Sequence, residues 1–156
     1  MSSKRKVKVG IAGCGVVATA YYLPYLMNMD TVELTAVCDL YKTRTSACAR
    51  LFGAKEEYQD YDQMLEKADL DAVFILTAPG THVSFALKAI QKGLHVLIQK
   101  PMATNMDDAQ KIAAEVRKAG IVALIEPSSS SPLEPDTPHL RDLVRKGVLG
   151  DILWFS

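Results

Sequence analysis

No apolar run in the 156 residues reaches the roughly 18 that a membrane-crossing helix needs, and none follows the basic N-terminal residues as a secretory leader would. An excess of one charge is missing as well. Eighteen Lys and Arg balance eighteen Asp and Glu, which speaks against nucleic acid or an anionic membrane as the main partner. Cysteine is scarce: Cys14, Cys38 and Cys48 show neither Cys-x-x-Cys nor metal-type spacing, so no disulfide framework and no metal site are expected. They read as small apolar fillers in a reducing, cytoplasmic compartment. The basic tract Lys4-Arg5-Lys6 with Lys8 reads as a solvated lead into the first strand. The length suits one domain with a sizeable core and leaves no room for a second full one.

What is present begins with Val7-Lys8-Val9-Gly10-Ile11-Ala12, a buried-strand pattern that runs into Gly13-Cys14-Gly15-Val16-Val17-Ala18. Each position in that turn answers a physical need. Gly13 permits a sharp exit from the strand, because a residue without Cβ tolerates positive φ. Gly15 leaves room for a diphosphate against main-chain N–H groups, and the small Ala18 lets the next helix pack closely on the strand. The unpaired N–H groups of the first helical turn, around Val16 and Val17, together with the helix dipole, attract the anion. A second strand, Glu33 to Cys38, ends at Asp39, whose carboxylate would accept from the adenosine ribose.

That carboxylate would repel a 2'-phosphate: like charges about 4 Å apart cost roughly 4 kcal/mol at an effective dielectric of about 20. NAD is therefore the expected cofactor, with NADP as the alternative that Arg44 would serve by reaching a 2'-phosphate. A solvated arginine on a helix face is the plainer reading of Arg44. A methyltransferase uses a similar first turn but usually carries a third glycine where this chain has Val17.

Strands and helices then alternate. Helices are expected over Val16 to Met29, bent at Pro24, and over Thr43 to Phe52 and Tyr61 to Lys67. A short segment lies near Glu57-Tyr58. Ala72 to Leu76 is apolar on both faces, as a central parallel strand should be. Val83, Ala86, Leu87 and Ile90 mark one helix face, His95 to Ile98 gives another strand, Thr104 or Asn105 caps a helix, and Ile121 to Ile125 closes the set. The expectation is an α/β, Rossmann-type, doubly wound parallel sheet that binds ligand at the strand C-terminal edge.

Two further segments fall at such edges, Thr77-Ala78-Pro79-Gly80-Thr81-His82 and Gln99-Lys100-Pro101. With the glycine turn, Asp39 and the helix-to-strand passage from Ala86 to Val96, they make nearly the whole chain resemble the Gfo/Idh/MocA family (glucose-fructose oxidoreductase, inositol dehydrogenase, rhizopine catabolism). The resemblance implies an NAD(P)-dependent oxidoreductase acting on sugars, cyclitols or related polyols. It places Lys100 near the nicotinamide and the reacting carbinol, and puts Thr77, Ala78, Pro79, His82 and Gln99 along the cofactor cleft. His82 reads equally as a packing histidine, while His95 and His139 read as structural. Pro101 at a strand tip is a candidate for a cis bond. Two positions depart from the family pattern: Gln99 replaces the usual glutamate, and Pro79 stands where asparagine is common.

The cofactor-binding domain is expected over residues 1–125, a Pro/Ser-rich linker over 126–137, and a helix and first strand over 138–156. In the latter, Thr137 caps, Pro138 starts the helix, and Leu140, Leu143 and Val144 face inward. The resemblance implies that a second, substrate domain would follow and is missing or truncated here. Trp154 and Phe155 would invite pairing with another copy of the chain. The rival to an enzyme is a non-enzymatic module that binds or senses a nucleotide.

Overall fold

The computed structural model describes residues 5–126, 142–148 and 150. The chain divides into two compact units, Met1–Glu126 and Pro127–Ser156.

In the first unit six strands form one sheet: β1 (Val7–Ala12), β2 (Val32–Cys38), β3 (Glu56–Tyr58), β4 (Ala72–Ile75), β5 (His95–Ile98) and β6 (Ala123–Ile125). All pairings are parallel and the order is β3-β2-β1-β4-β5-β6. The doubly wound Rossmann-type sheet is therefore formed. Because successive strand residues face opposite ways, the sheet carries an apolar cluster on each side. Val9, Ile11 and Val37 pack with Ala18, Leu23, Leu26 and Cys48 on one side. Ala36, Val73, Ile75 and Ile98 pack with Met64, Ala86, Ile90 and Ile112 on the other.

The covering helices are α2 (Lys42–Phe52), α3 (Tyr61–Lys67), α4 (Pro79–Gln91) and α5 (Met106–Ala119). Local chemistry sets their starts. Asp60 accepts from the Gln63 N–H at 2.8 Å, and Asn105 from the Asp108 N–H at 2.9 Å. Asn105, not Thr104, is thus the cap. Pro79 opens α4, where its missing N–H would have had no partner anyway.

The helix after the glycine turn differs from expectation. Instead of one bent helix to Met29, a π-helical segment (Ala18–Tyr22) runs into α1 (Leu23–Leu26). The Leu23 N–H reaches back five residues to the Ala18 carbonyl, which widens the turn and lets Pro24 enter at the first positions of α1. Pro24 therefore acts through a change of helix type. The last strand is also shorter than expected: at Val122 the main-chain N–H donates to His95 Nδ1 at 3.0 Å, which gives His95 its structural role.

In the second unit residues 142–145 are helical and Gly147 follows at φ +67°. Val144, expected to face inward, is 43 % exposed. Most of the expected linker, the Thr137–Pro138 helix start, His139, Leu140, Trp154 and Phe155 lie outside the described residues. Among the described residues no helix is long and apolar enough to cross a membrane, and no group of three metal-ligating side chains occurs.

Candidate functional site

β1 and β4 are neighbours at the centre of the sheet, with β2 and β3 to one side and β5 and β6 to the other. This reversal of winding opens a crevice at the strand C-terminal ends. The turn after β1 enters it. Gly13 has φ +96°, and its N–H donates to the Cys38 carbonyl at 2.8 Å. A Cβ on Gly13 would lie 2.6 Å from the Leu76 carbonyl oxygen, so the fold itself demands glycine there. Gly15 differs: a Cβ would meet nothing within 4 Å. The protein leaves that side open, which is the space a diphosphate needs against the main chain. Val16 is exposed, Val17 half-buried, and Ala18 fully buried beneath the turn, where its small side chain brings the helix close to the sheet.

Asp39, just beyond β2, points back to the glycine turn. One carboxylate oxygen accepts from the Cys14 N–H at 2.9 Å and the other from the Tyr41 N–H at 3.0 Å. A carboxylate offers about four acceptor directions, so capacity for ribose hydroxyls remains. The Arg44 guanidinium lies 3.8 Å from Asp39 and over the Tyr41 ring, 4.7 Å from its centroid. Arg44 is thus held at the mouth of the site.

A cleft of about 400 Å³ brings Gly13, Gly15, Asp39, Arg44, Thr77 and Ala78 together. Tyr41, Gln59, Tyr61, Thr81 and Phe85 also line it, and sequence reasoning missed them. Tyr61 and Phe85 stack at 3.9 Å with their planes 3° apart, and the Tyr61 hydroxyl donates to the Phe85 carbonyl at 3.0 Å. Tyr41 could have been found from its place two residues after Asp39. The Tyr61–Phe85 wall joins α3 to α4 and left no local signal.

Pro79, His82, Gln99 and Lys100 do not line this cleft. Pro79 is exposed at the start of α4. His82 is fully buried, with Nδ1 2.8 Å from the Pro101 carbonyl oxygen and Nε2 2.9 Å from that of Thr77. Of the two readings of His82, the packing one describes its place: the ring is buried away from the cleft and bridges the loops after β4 and β5. Thr81 adds a second brace, its hydroxyl donating to Thr77 Oγ1 at 2.7 Å. Gln99 follows β5 half-buried, Lys100 is exposed beside it, and the Lys100–Pro101 bond is cis, as expected from a proline at a strand tip.

Residues 7–126 match the model of an oxidoreductase family with an NAD-binding Rossmann fold, GFO_IDH_MocA. The chain belongs to this family. A D-glucoside 3-dehydrogenase of Escherichia coli (strain K12) is 32 % identical over 146 residues, 94 % of this chain and 41 % of the relative. A dTDP-3,4-didehydro-2,6-dideoxy-alpha-D-glucose 3-reductase of Streptomyces violaceoruber is 30 % identical over 95 % of this chain and 42 % of its own length. Among solved structures, a 3-ketoreductase from Actinomadura kijaniata in complex with TDP-benzene and NADP superposes with a TM-score of 0.82 at 28 % identity, over 95 % of this chain and 46 % of that one. The scyllo-inositol dehydrogenase of Lactobacillus casei with bound NAD(H) and scyllo-inositol has a TM-score of 0.82 at 22 % identity, over 95 % of this chain and 43 % of that one. The chain thus spans less than half the length of these relatives.

The Gfo/Idh/MocA Rossmann domain of this chain thus carries at its cleft a closed Gly13, an open Gly15 and a carboxylate just past β2. The three cysteines are buried. Burial pushes the Cys38 thiol up to about 12, and burial followed by the neighbouring Cys48 pushes Cys14 higher still.

Proposed function

We propose that this chain is the cofactor-binding part of an oxidoreductase that moves hydride between NAD and a sugar, cyclitol or related polyol. The observation that carries the reading is the open face of Gly15 beside a carboxylate tied to the same turn. Main-chain N–H groups around Val16 and Val17 hold the diphosphate, and Asp39 accepts from the adenosine ribose. Bound nicotinamide supplies the hydride-accepting or hydride-donating carbon. The Lys100 ammonium, at the tip of the neighbouring strand, hydrogen-bonds the substrate oxygen and assists movement of its proton. Thr77 and Ala78 flank the cofactor, held in place by His82 and Thr81.

Asp39 favours NAD over NADP by repelling a 2'-phosphate, and Arg44 moderates that preference by offering a counter-charge 3.8 Å from the carboxylate. The relatives named above are dehydrogenases and reductases, with NAD(H) or NADP in the solved complexes, and they give no support to a non-enzymatic module.

Titration with NADH and NADPH, followed by a screen of sugars and polyols for cofactor reduction, tests the proposal. Loss of a hydrogen bond to a charged acceptor makes Asp39→Ala expected to weaken NADH binding about tenfold to a hundredfold, and NADPH less. Equal losses would mean that Asp39 serves only the Cys14 N–H. Lys100→Met should retain dinucleotide affinity and abolish hydride transfer; retained turnover in that variant overturns the role of Lys100.

A further inference from the structure

One side chain at the cleft presents an unused acceptor. The tips of β1, β2 and β3 stand in a row, so the glycine turn, Asp39 and Gln59 follow one another along the strand C-terminal edge. Two strand spacings separate the first from the last, about 10 Å. The Asp39 N–H donates to the Tyr58 carbonyl at 3.2 Å, which seats Gln59 directly beyond the β2 tip. Gln59 lines the cleft together with Tyr41, Tyr61, Ala78 and Phe85. Its Nε2 donates to Thr45 Oγ1 at 3.2 Å, and among the described residues nothing donates to its Oε1.

Thr45 fixes which end of the amide is free. It is fully buried, and its hydroxyl donates to the Lys42 carbonyl at 2.9 Å, with the Glu57 carboxylate a second acceptor at 3.4 Å. A carbonyl and an ionised carboxylate have no proton to give. With its own proton committed to them, the hydroxyl can only accept from Gln59, so the amide nitrogen faces α2 and the amide oxygen is left for a ligand. A dinucleotide with its diphosphate at Gly15 and its ribose at Asp39 carries its base onward past β2, into the part of the cleft that Gln59 lines. Adenine has one N–H donor there, the 6-amino group, where a 6-oxo purine offers an acceptor instead. We infer that Gln59 determines base specificity: its oxygen accepts from the adenine 6-amino group, and Thr45 holds it in that orientation. The inference rests on the proposed places of the diphosphate and the ribose.

The test is direct binding of NADH, and of its 6-oxo analogue, reduced nicotinamide hypoxanthine dinucleotide, to the full 156-residue chain. The native chain should hold NADH about tenfold more tightly than the analogue, the equivalent of one net hydrogen bond. Gln59 is exposed, so Gln59→Leu leaves the core untouched. That variant should lose about tenfold for NADH, change little for the analogue, and so abolish the preference. The nearly isosteric Thr45→Val frees the amide to turn and should reduce the preference without abolishing it. Equal affinities in the native chain, or a preference undiminished in Gln59→Leu, overturn the inference. The underlying reading fails differently. NADH that does not bind, or that binds unchanged in both Gly15→Ala and Asp39→Ala, removes the site itself, whereas an error about Gln59 alone leaves those two losses in place.

Discussion

The two halves of the strand-tip crevice are built by different means. At the tips of β1 and β2 the work is done by main chain: a glycine at positive φ, an N–H to the Cys38 carbonyl, and a carboxylate that accepts two N–H groups. At the tips of β4 and β5 side chains hold the loops, with His82 spanning Thr77 and Pro101, and Gln99 spanning Lys100 and Tyr22. The first half is fixed by main-chain N–H groups that pair the end of β1 with the end of β2 across 25 positions. The second depends on side chains, which can be replaced one at a time without touching the first.

The sharpest way to break the comparison is Gly13→Ala. Strain at positive φ and a clash with the Leu76 carbonyl should together cost about 4 kcal/mol, read as a loss in chemical denaturation. Gly15→Ala, with open space around it, should leave stability nearly unchanged and weaken dinucleotide binding. If both variants unfold alike, the distinction between a glycine required by the fold and one required by the ligand is lost.

Next in size is His82→Leu, which fills similar space but removes the ring that bridges the Thr77 and Pro101 carbonyls. The expected cost is about 3 kcal/mol. Hydrogen exchange should rise at the β4 and β5 tips and stay slow at Gly13. An unchanged pattern at the β4 and β5 tips would show that the loops are held by packing alone.

The smallest effect is expected at the opposite edge of the sheet. The Asp71 carboxyl is held below the usual carboxylate range, first by the Lys8 N–H at 2.9 Å and then by the Arg5 charge. Because its folded value lies below the unfolded one, its contribution to stability is present above the unfolded value and is lost as pH falls through the folded one. Asp71→Asn should therefore lower stability slightly near neutrality, where the ionised carboxylate contributes, change little in strong acid, and so flatten the acid limb around pH 4 and below. Urea melts at several pH values would show it, and an unaltered acid limb would exclude Asp71 as a source.

The halves also differ in how far they could be read in advance. Val7 to Ala12, the two glycines and Asp39 were legible because strand periodicity and the φ needs of a turn are written in adjacent residues. The same holds for the helices capped by Asp60 and Asn105. His82 was only half legible: its position at the β4 tip was evident, its burial between two carbonyls was not. The change to π-helix before Pro24 was missed, since the proline announces a disruption without saying which hydrogen-bond spacing absorbs it.

Glu126, just past β6, is buried with its N–H on the Ile98 carbonyl, a placement the sequence did not reveal. Tyr22 and Gln99 are 77 positions apart, and Tyr61 meets Phe85 across 24. By itself the sequence determined the order of strands and helices, the phosphate-type turn and the acidic strand tip, because each follows from local backbone preference and side-chain period. Which donor meets which acceptor at the second pair of tips was decided only by tertiary structure, since hydrogen-bond direction depends on groups that become neighbours when the sheet is wound.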